Sequence, residues 1–285
     1  MHCLLRWPRA AAWAIALAAA PATFAATALD ADPAALARAM AGKRVVVLGE
    51  IHDNATQHAL RLSALKALVA GGAHPALAFE QFDRERQPDI DRARRARPRD
   101  ADYLIAQAGG APGWHWEFYR PYVQLALDND LPIVAANLAR AEAMKVATSD
   151  APAPPPQVAD GLMRAQEDAI RSGHCNLLPE EALPGMVRAQ VARDRALAEA
   201  LRPYVDGGVI LLTGNGHARI DIGVPYWLAP DERAASVSIG VLERGDDNGA
   251  RELPAQFDAY VLTDPAERAD PCEELKRQMR PAAKG

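Results

Sequence analysis

Two short runs carry most of the chemistry in this chain. Gly49-Glu50-Ile51-His52-Asp53-Asn54 sets a carboxylate and an imidazole two residues apart, and Gly214-Asn215-Gly216-His217 sets an amide and a second imidazole in a glycine-rich turn. Between them, Glu80 follows the apolar run ALAF directly, and Asn137 closes another such run. Residues two apart on an extended strand end face the same side, so Glu50 and His52 can act together. With Glu80 and His217 they form a candidate oxygen and nitrogen donor set for a divalent metal. The same four residues are the candidates for catalysis. Either a metal activates bound water, or Glu80 serves as a general base beside His217, each shifting the other's pKa. The competing reading is architectural, with these groups hydrogen-bonding one another to hold strand ends together. His58 and His74 fall in helix and loop contexts and are expected to be incidental.

A second constellation is WHWEFYRPY at 114–122, where Trp114, Trp116, Phe118, Tyr119 and Tyr122 crowd into one short segment. Such density ahead of a helix either lines a flat apolar cleft for a planar ligand or pins a peripheral segment to the core. Tyr119 and Tyr122 offer a phenolate, one of the ligands haem iron accepts. His174-Cys175 is a third candidate for holding metal or haem. Gln190, Arg193 and Asp194 form a polar stripe at i, i+3 and i+4 that faces either the cleft or solvent. Other chemistries are excluded by what is missing. There is no CxxC or CxxCH, so neither a zinc ribbon nor covalent haem attachment is available. There is no GxxxxGK[ST], Gly214-Asn215-Gly216 lacks the third glycine of a dinucleotide fingerprint, and no GxSxG nucleophile elbow occurs.

These residues need elements to position them. Continuous apolar runs at 44–48, 76–79, 132–136, 208–213, 237–242 and 259–263 read as strands covered on both faces. Helical patterns lie between them at 56–69, where Asp53 or Asn54 can cap the start, and at 121–128 and 140–147. That alternation predicts an α/β fold: three layers, α/β/α, around a mostly parallel sheet. Ligands of such sheets sit at the carboxyl ends of the strands. Glu50, His52, Glu80, Asn137, Asn215 and His217 all follow strands there, so one edge is expected to collect them. The proline-dense run APAPPPQ at 151–157 reads as a linker. Residues 158–203 then form a small helical insertion, with helices over 161–171 and 183–201. A second, polar insertion at 83–111 reads as a solvated helical face.

The chain has 285 residues, 49% hydrophobic and 24% charged, so it is globular rather than disordered. Arg6 and Arg9 are the charged residues of the first 28; without them 30 basic residues face 37 acidic ones. An acidic chain of this kind is not a general nucleic-acid binder. Residues 1–28 read as a secretory signal: the basic pair, an apolar stretch from Ala10 to Ala20, and Ala26-Thr27-Ala28 as cleavage site, with Thr23-Phe24-Ala25 as the alternative. Residues 29–285 are then one domain, exported or periplasmic. Cys3 precedes the apolar stretch, so no lipoprotein anchor is expected. Export leaves Cys175 and Cys272, which permit one disulfide unless Cys175 serves with His174 as a ligand.

VVVLGEIHDN (45–54), AFEQFDR (78–84), WHWEFYRPY (114–122), AAN (135–137), GHCNLLPE (173–180), AQVARD (189–194) and GNGHARIDIGVP (214–225) occur in this order. Through them the chain resembles the ChaN-like family of haem-binding uptake proteins, within the wider Tiki and erythromycin-esterase-like superfamily. The resemblance implies a three-layer core with a small helical subdomain. It also implies an exported bacterial protein of iron or haem acquisition, with haem held between two protomers and an outer-membrane or periplasmic uptake system as partner. Tyr119 is the preferred phenolate to iron. His52, His174 and His217 compete or assist, and Trp116, Asn137 and Asn215 are further cofactor contacts. In the wider superfamily, strand-end Glu and His residues are associated with hydrolysis. The alternative is therefore a metal-dependent hydrolase using Glu50, His52, Glu80 and His217.

Overall fold

A computed structural model describes residues 25–110, 113–149, 160–245 and 253–279. The apolar stretch of the expected signal and the 151–157 linker lie outside the described residues. In chain order the elements are β1 (Thr27–Leu29), α1 (Pro33–Met40), β2 (Val45–Leu48), α2 (Ala55–Ala70), β3 (Ala76–Asp83), α3 (Gln87–Ala96), α4 (Ala101–Gln107), α5 (Trp116–Asp128), β4 (Ile133–Asn137) and α6 (Arg140–Thr148). They continue as α7 (Asp160–Gly173), α8 (Leu183–Leu201), β5 (Val209–Leu212), α9 (Asn215–Ala218), α10 (Pro230–Ala234), β6 (Ser236–Glu243), β7 (Ala259–Thr263) and α11 (Pro271–Met279).

Among the described residues seven strands form one sheet in the order β1-β7-β6-β2-β5-β3-β4, and every pairing is parallel. The expected three-layer α/β/α fold is therefore present, with a wholly parallel sheet. Alternation along each strand divides the core between two faces. Val46, Leu48, Leu77, Phe79, Ile210 and Leu212 pack with α1, α2 and α5, while Val45, Val47, Ala76, Ala78, Val209 and Leu211 pack with α8. Burial on both faces is why these strands read as continuous apolar runs. Asn54 caps α2 through Oδ1, which accepts from the Gln57 N–H at 3.1 Å. At the far edge, Gln87 covers β4: its Oε1 accepts from Ala135 N–H, and its Nε2 donates to the Ile133 carbonyl.

Three features differ from expectation. The six expected strands are joined by β1, whose residues pair with Ala259–Val261 of β7; three residues are too few to announce a strand in sequence. Helix α5 begins at Trp116, so the aromatic segment is itself helical, and Pro121 lies inside the helix. The expected insertion at 158–203 divides. Leu162, Ile170, Leu183, Val187 and Val191 make a small separate core, whereas Leu197, Ala198 and Leu201 belong to the sheet-packed layer.

The segment after β7 ties distant parts together. Arg268 donates to both Glu243 oxygens and to Asp53. Burial opposes the Glu243 charge, but Arg268 and the Ala266 N–H outweigh it and draw its pKa down to about 2. Further on, Cys272 is joined to Cys175 across 97 residues. This corrects the reading of Cys175 as a metal or haem ligand, because its sulfur is in the disulfide.

Candidate ligand-binding cleft

The sheet order sets β2, β5, β3 and β4 side by side, with Leu48 opposite Leu212, Leu212 opposite Phe79, and Phe79 opposite Ala135. Glu50, Gly214, Glu80 and Asn137 follow those residues by one or two positions. In-register parallel pairing therefore delivers them to one edge at one level.

Glu50 is buried, and its carboxylate is surrounded by donors. Tyr119 OH donates to Oε1 at 2.5 Å and His52 Nδ1 lies 2.9 Å from the same oxygen, while Arg61 pairs with Oε2. His58 Nδ1 faces Oε2 at 3.3 Å, and its Nε2–H donates to the His52 carbonyl at 3.0 Å. Burial pushes the His58 pKa down to about 4, against the pull of that hydrogen bond. Burial likewise holds the Tyr119 phenol well above its ordinary range, so it keeps its proton and donates. A carboxylate only accepts, so His52 carries its proton on Nδ1 and keeps the Nε2 lone pair free. The His52 side chain is 43% exposed, and its ring meets Trp114 edge-on at 4.9 Å.

A second buried network lies on the opposite face of the sheet. Glu80 Oε2 accepts from Thr213 OH at 2.7 Å and from Gly214 N–H at 2.9 Å, and its Oε1 lies 3.5 Å from His217 Nε2. His217 Nδ1 meets Asp194 Oδ1 at 2.6 Å, with Gln190 Nε2 at 3.2 Å. Burial alone would discharge all three ionisable groups. The two carboxylates outweigh it at His217 and raise that pKa to about 10, and the resulting cation holds Glu80 well below the usual carboxylate range. At Asp194 burial prevails and the pKa is raised. Glu80 and Gln81 are neighbours on β3 and so point to opposite faces, Glu80 toward His217 and Gln81 toward Tyr119.

Gly214 separates the two networks. A Cβ there would lie 2.8 Å from His52 Nε2, so glycine lets the turn pass under the ring without displacing it. Gly49 similarly admits Asn215, whose amide bonds the Val241 carbonyl and N–H at 2.7 and 3.1 Å. Asn215 thus joins β5 to β6, with both ends of its amide engaged.

Above this floor opens a cleft of about 710 Å³. One wall is apolar: Ala143, Met144 and Ala147 from α6, with Met186 and Ala189 from α8. The other carries Trp114, His115 and Tyr119, and His52, Asn137, His174, Gln190, Arg140, Arg193 and Asp83 complete the lining. His174 Nδ1 donates to the Ile170 carbonyl at 2.8 Å, which also fixes its tautomer with Nε2 free. Arg193 is held by the Asn137 and Leu138 oxygens.

The candidate residues are thus distributed unevenly. His52, Tyr119, Asn137 and His174 line the cleft. Trp116 does not: it packs on Phe82, with ring centroids 5.0 Å apart, and joins the core. His217 lies beneath, held by Glu80 and Asp194. Glu50, His52, Glu80 and His217 do not converge as a donor set. Their oxygens and nitrogens serve Arg61, Tyr119 and Asp194, and no group of three or more metal-binding side chains occurs among the described residues. The divalent-metal expectation is therefore not supported. Sequence patterning does not single out two buried residues of this network, Arg61 and His58, and the helix context of His58 predicts an incidental role. The signal was available: Gln57, His58 and Arg61 lie on the same α2 stripe as the buried Ala64 and Leu65, so polar groups occupy core positions.

A family model described as haem-binding uptake, Tiki superfamily, ChaN, matches residues 36–228. Among solved structures, one titled for cofacial haem binding to ChaN of Campylobacter jejuni matches with TM-score 0.66 at 22% identity, covering 78% of this chain and 88% of that one. It supports the fold. The type III effector HopBA1 aligns over 82% of this chain and 94% of its own, with TM-score 0.43 and 14% identity. No curated protein matches the chain.

Proposed function

Because this chain belongs to the haem-binding uptake (ChaN) family of the Tiki superfamily, we propose that it holds haem in the cleft between α6, α8 and the aromatic segment at 114–119. The observation that carries this reading is His52. Its Nδ1 is anchored to the buried Glu50 carboxylate, its Nε2 has no hydrogen bond among the described residues, and its ring is half-exposed on the cleft. A carboxylate behind an imidazole fixes the ring's orientation and tautomer, the arrangement found behind metal-bound histidines. His174, anchored through Nδ1 in the same cleft, is the second imidazole available to iron. Trp114 and the α6–α8 wall offer the apolar surface a porphyrin needs, and the volume lies in the range of cofactor pockets.

Haem supplies the iron, and the protein binds, orients and shields it without turnover. Haemin titration tests this reading. The mature protein develops a Soret band at stoichiometric haemin, and His52→Ala together with His174→Ala weakens or abolishes it. Binding no tighter than to an unrelated acidic protein would overturn the proposal.

Export to the periplasm, a homodimer around haem and an uptake-system partner form the rest of the proposal. β1 favours cleavage after Ala25 over cleavage after Ala28, because the latter would remove two of its three residues. N-terminal sequencing of the secreted protein distinguishes them. Sedimentation before and after haemin addition tests the dimer.

A further inference from the structure

The chain is acidic, with formal charge −5, yet the cleft is not. Its lining holds Arg140, Arg193 and three histidines against one carboxylate, Asp83. Burial raises the Asp83 pKa while Arg193 opposes it, and no second carboxylate lines the cleft. Arg193 is half-buried and oriented: only its Nη1 is engaged, on Asn137 Oδ1 and the Leu138 carbonyl, leaving Nε and Nη2 available. Arg140 forms no hydrogen bond or ion pair among the described residues, whereas most of the described arginines are paired, for example Arg120 with Asp102. Both arginines line the cleft together with Ala143, Met144 and Ala147. An unpaired arginine next to an apolar slot suits a ligand whose body is apolar and whose edge is anionic, and a guanidinium matches a carboxylate in two-point geometry.

We propose that Arg140, aided by Arg193, is the specificity-determining anion clamp of the cleft, and that it selects ligands by their carboxylates. This rests on the haem reading and sharpens it: the propionate edge, rather than the porphyrin plane alone, decides retention.

The test compares haemin with its dimethyl ester, which keeps iron and ring but removes both negative charges. Each is titrated in the same dilute detergent into the mature protein and into Arg140→Gln. The expected result is that wild type prefers haemin by roughly tenfold or more, the scale of one charge-assisted hydrogen bond. Arg140→Gln loses most of that preference by weakening haemin and leaving the ester unchanged. Raising salt from 50 to 500 mM narrows the preference in wild type and less so in the variant. Equal binding of haemin and ester by wild type would overturn the clamp while leaving haem binding intact. Full discrimination retained by Arg140→Gln would overturn the assignment to Arg140. Binding of neither porphyrin would overturn the haem reading and this inference with it.

Discussion

Arg61 and Glu50, both closed to solvent, form an ion pair beneath the cleft: the guanidinium Nη1 meets Oε2 of the carboxylate, and Nη2 donates to the Leu48 carbonyl at 3.0 Å. Helix α2 thereby fixes the end of β2, and through Glu50 it fixes the His52 ring. A buried charge without its partner is costly, whereas removing both partners costs much less.

Arg61→Leu is therefore expected to destabilise the protein by about 3–5 kcal/mol. The double variant Glu50→Gln/Arg61→Leu loses less than the sum of the single changes. Urea unfolding of the four proteins measures the coupling. An Arg61→Leu protein as stable as wild type would show that the pair does not hold the floor of the cleft.

Tyr119 serves Glu50 in this arrangement, since its hydroxyl donates to the carboxylate and burial keeps the phenol protonated. Tyr119→Phe is expected to lower stability by about 1–3 kcal/mol and to leave the haemin-loaded absorption spectrum in place. A clear shift of the Soret and charge-transfer bands would instead assign the iron to the Tyr119 phenolate.

The His217 network makes stability depend on pH in the alkaline range. The pKa of His217 is raised from 6.5 to about 10, so its contribution is fully present below pH 6.5 and disappears as pH climbs toward 10. Glu80 acts at the other end. Its pKa is lowered, so its contribution holds above pH 4.5 and fades as pH falls below that. Melting temperature should thus decline between pH 6.5 and 10, and His217→Gln should flatten that decline. An unchanged alkaline slope in the variant would remove His217 as its source.

The Cys175–Cys272 disulfide closes a long loop between the α7 subdomain and the C-terminal segment. Cys272→Ser is expected to cost about 2–4 kcal/mol, chiefly through the freer unfolded chain. Denaturation of wild type with reductant should reproduce the variant's midpoint. Identical midpoints for oxidised wild type and variant would leave the bridge without a stabilising role.

Patterning along the chain specifies the layers of the fold and the edge where its polar residues gather. Continuous apolar runs specify strands buried on both faces, and a parallel sheet must present the residues after those runs at its carboxyl end. Glu80 and His217 accordingly meet at 3.5 Å despite 136 intervening residues. Packing of helices over the strand ends selects which neighbour each polar group takes. Strand alternation sends Glu80 and Gln81 to opposite faces, and helix α2 brings Arg61 to Glu50 before any metal could claim that carboxylate. The order β2-β5-β3-β4 sets two separate networks under one cleft instead of a single donor cluster. Spacing along the chain fixes which edge a side chain reaches, but its partner there depends on which helix packs over that strand end.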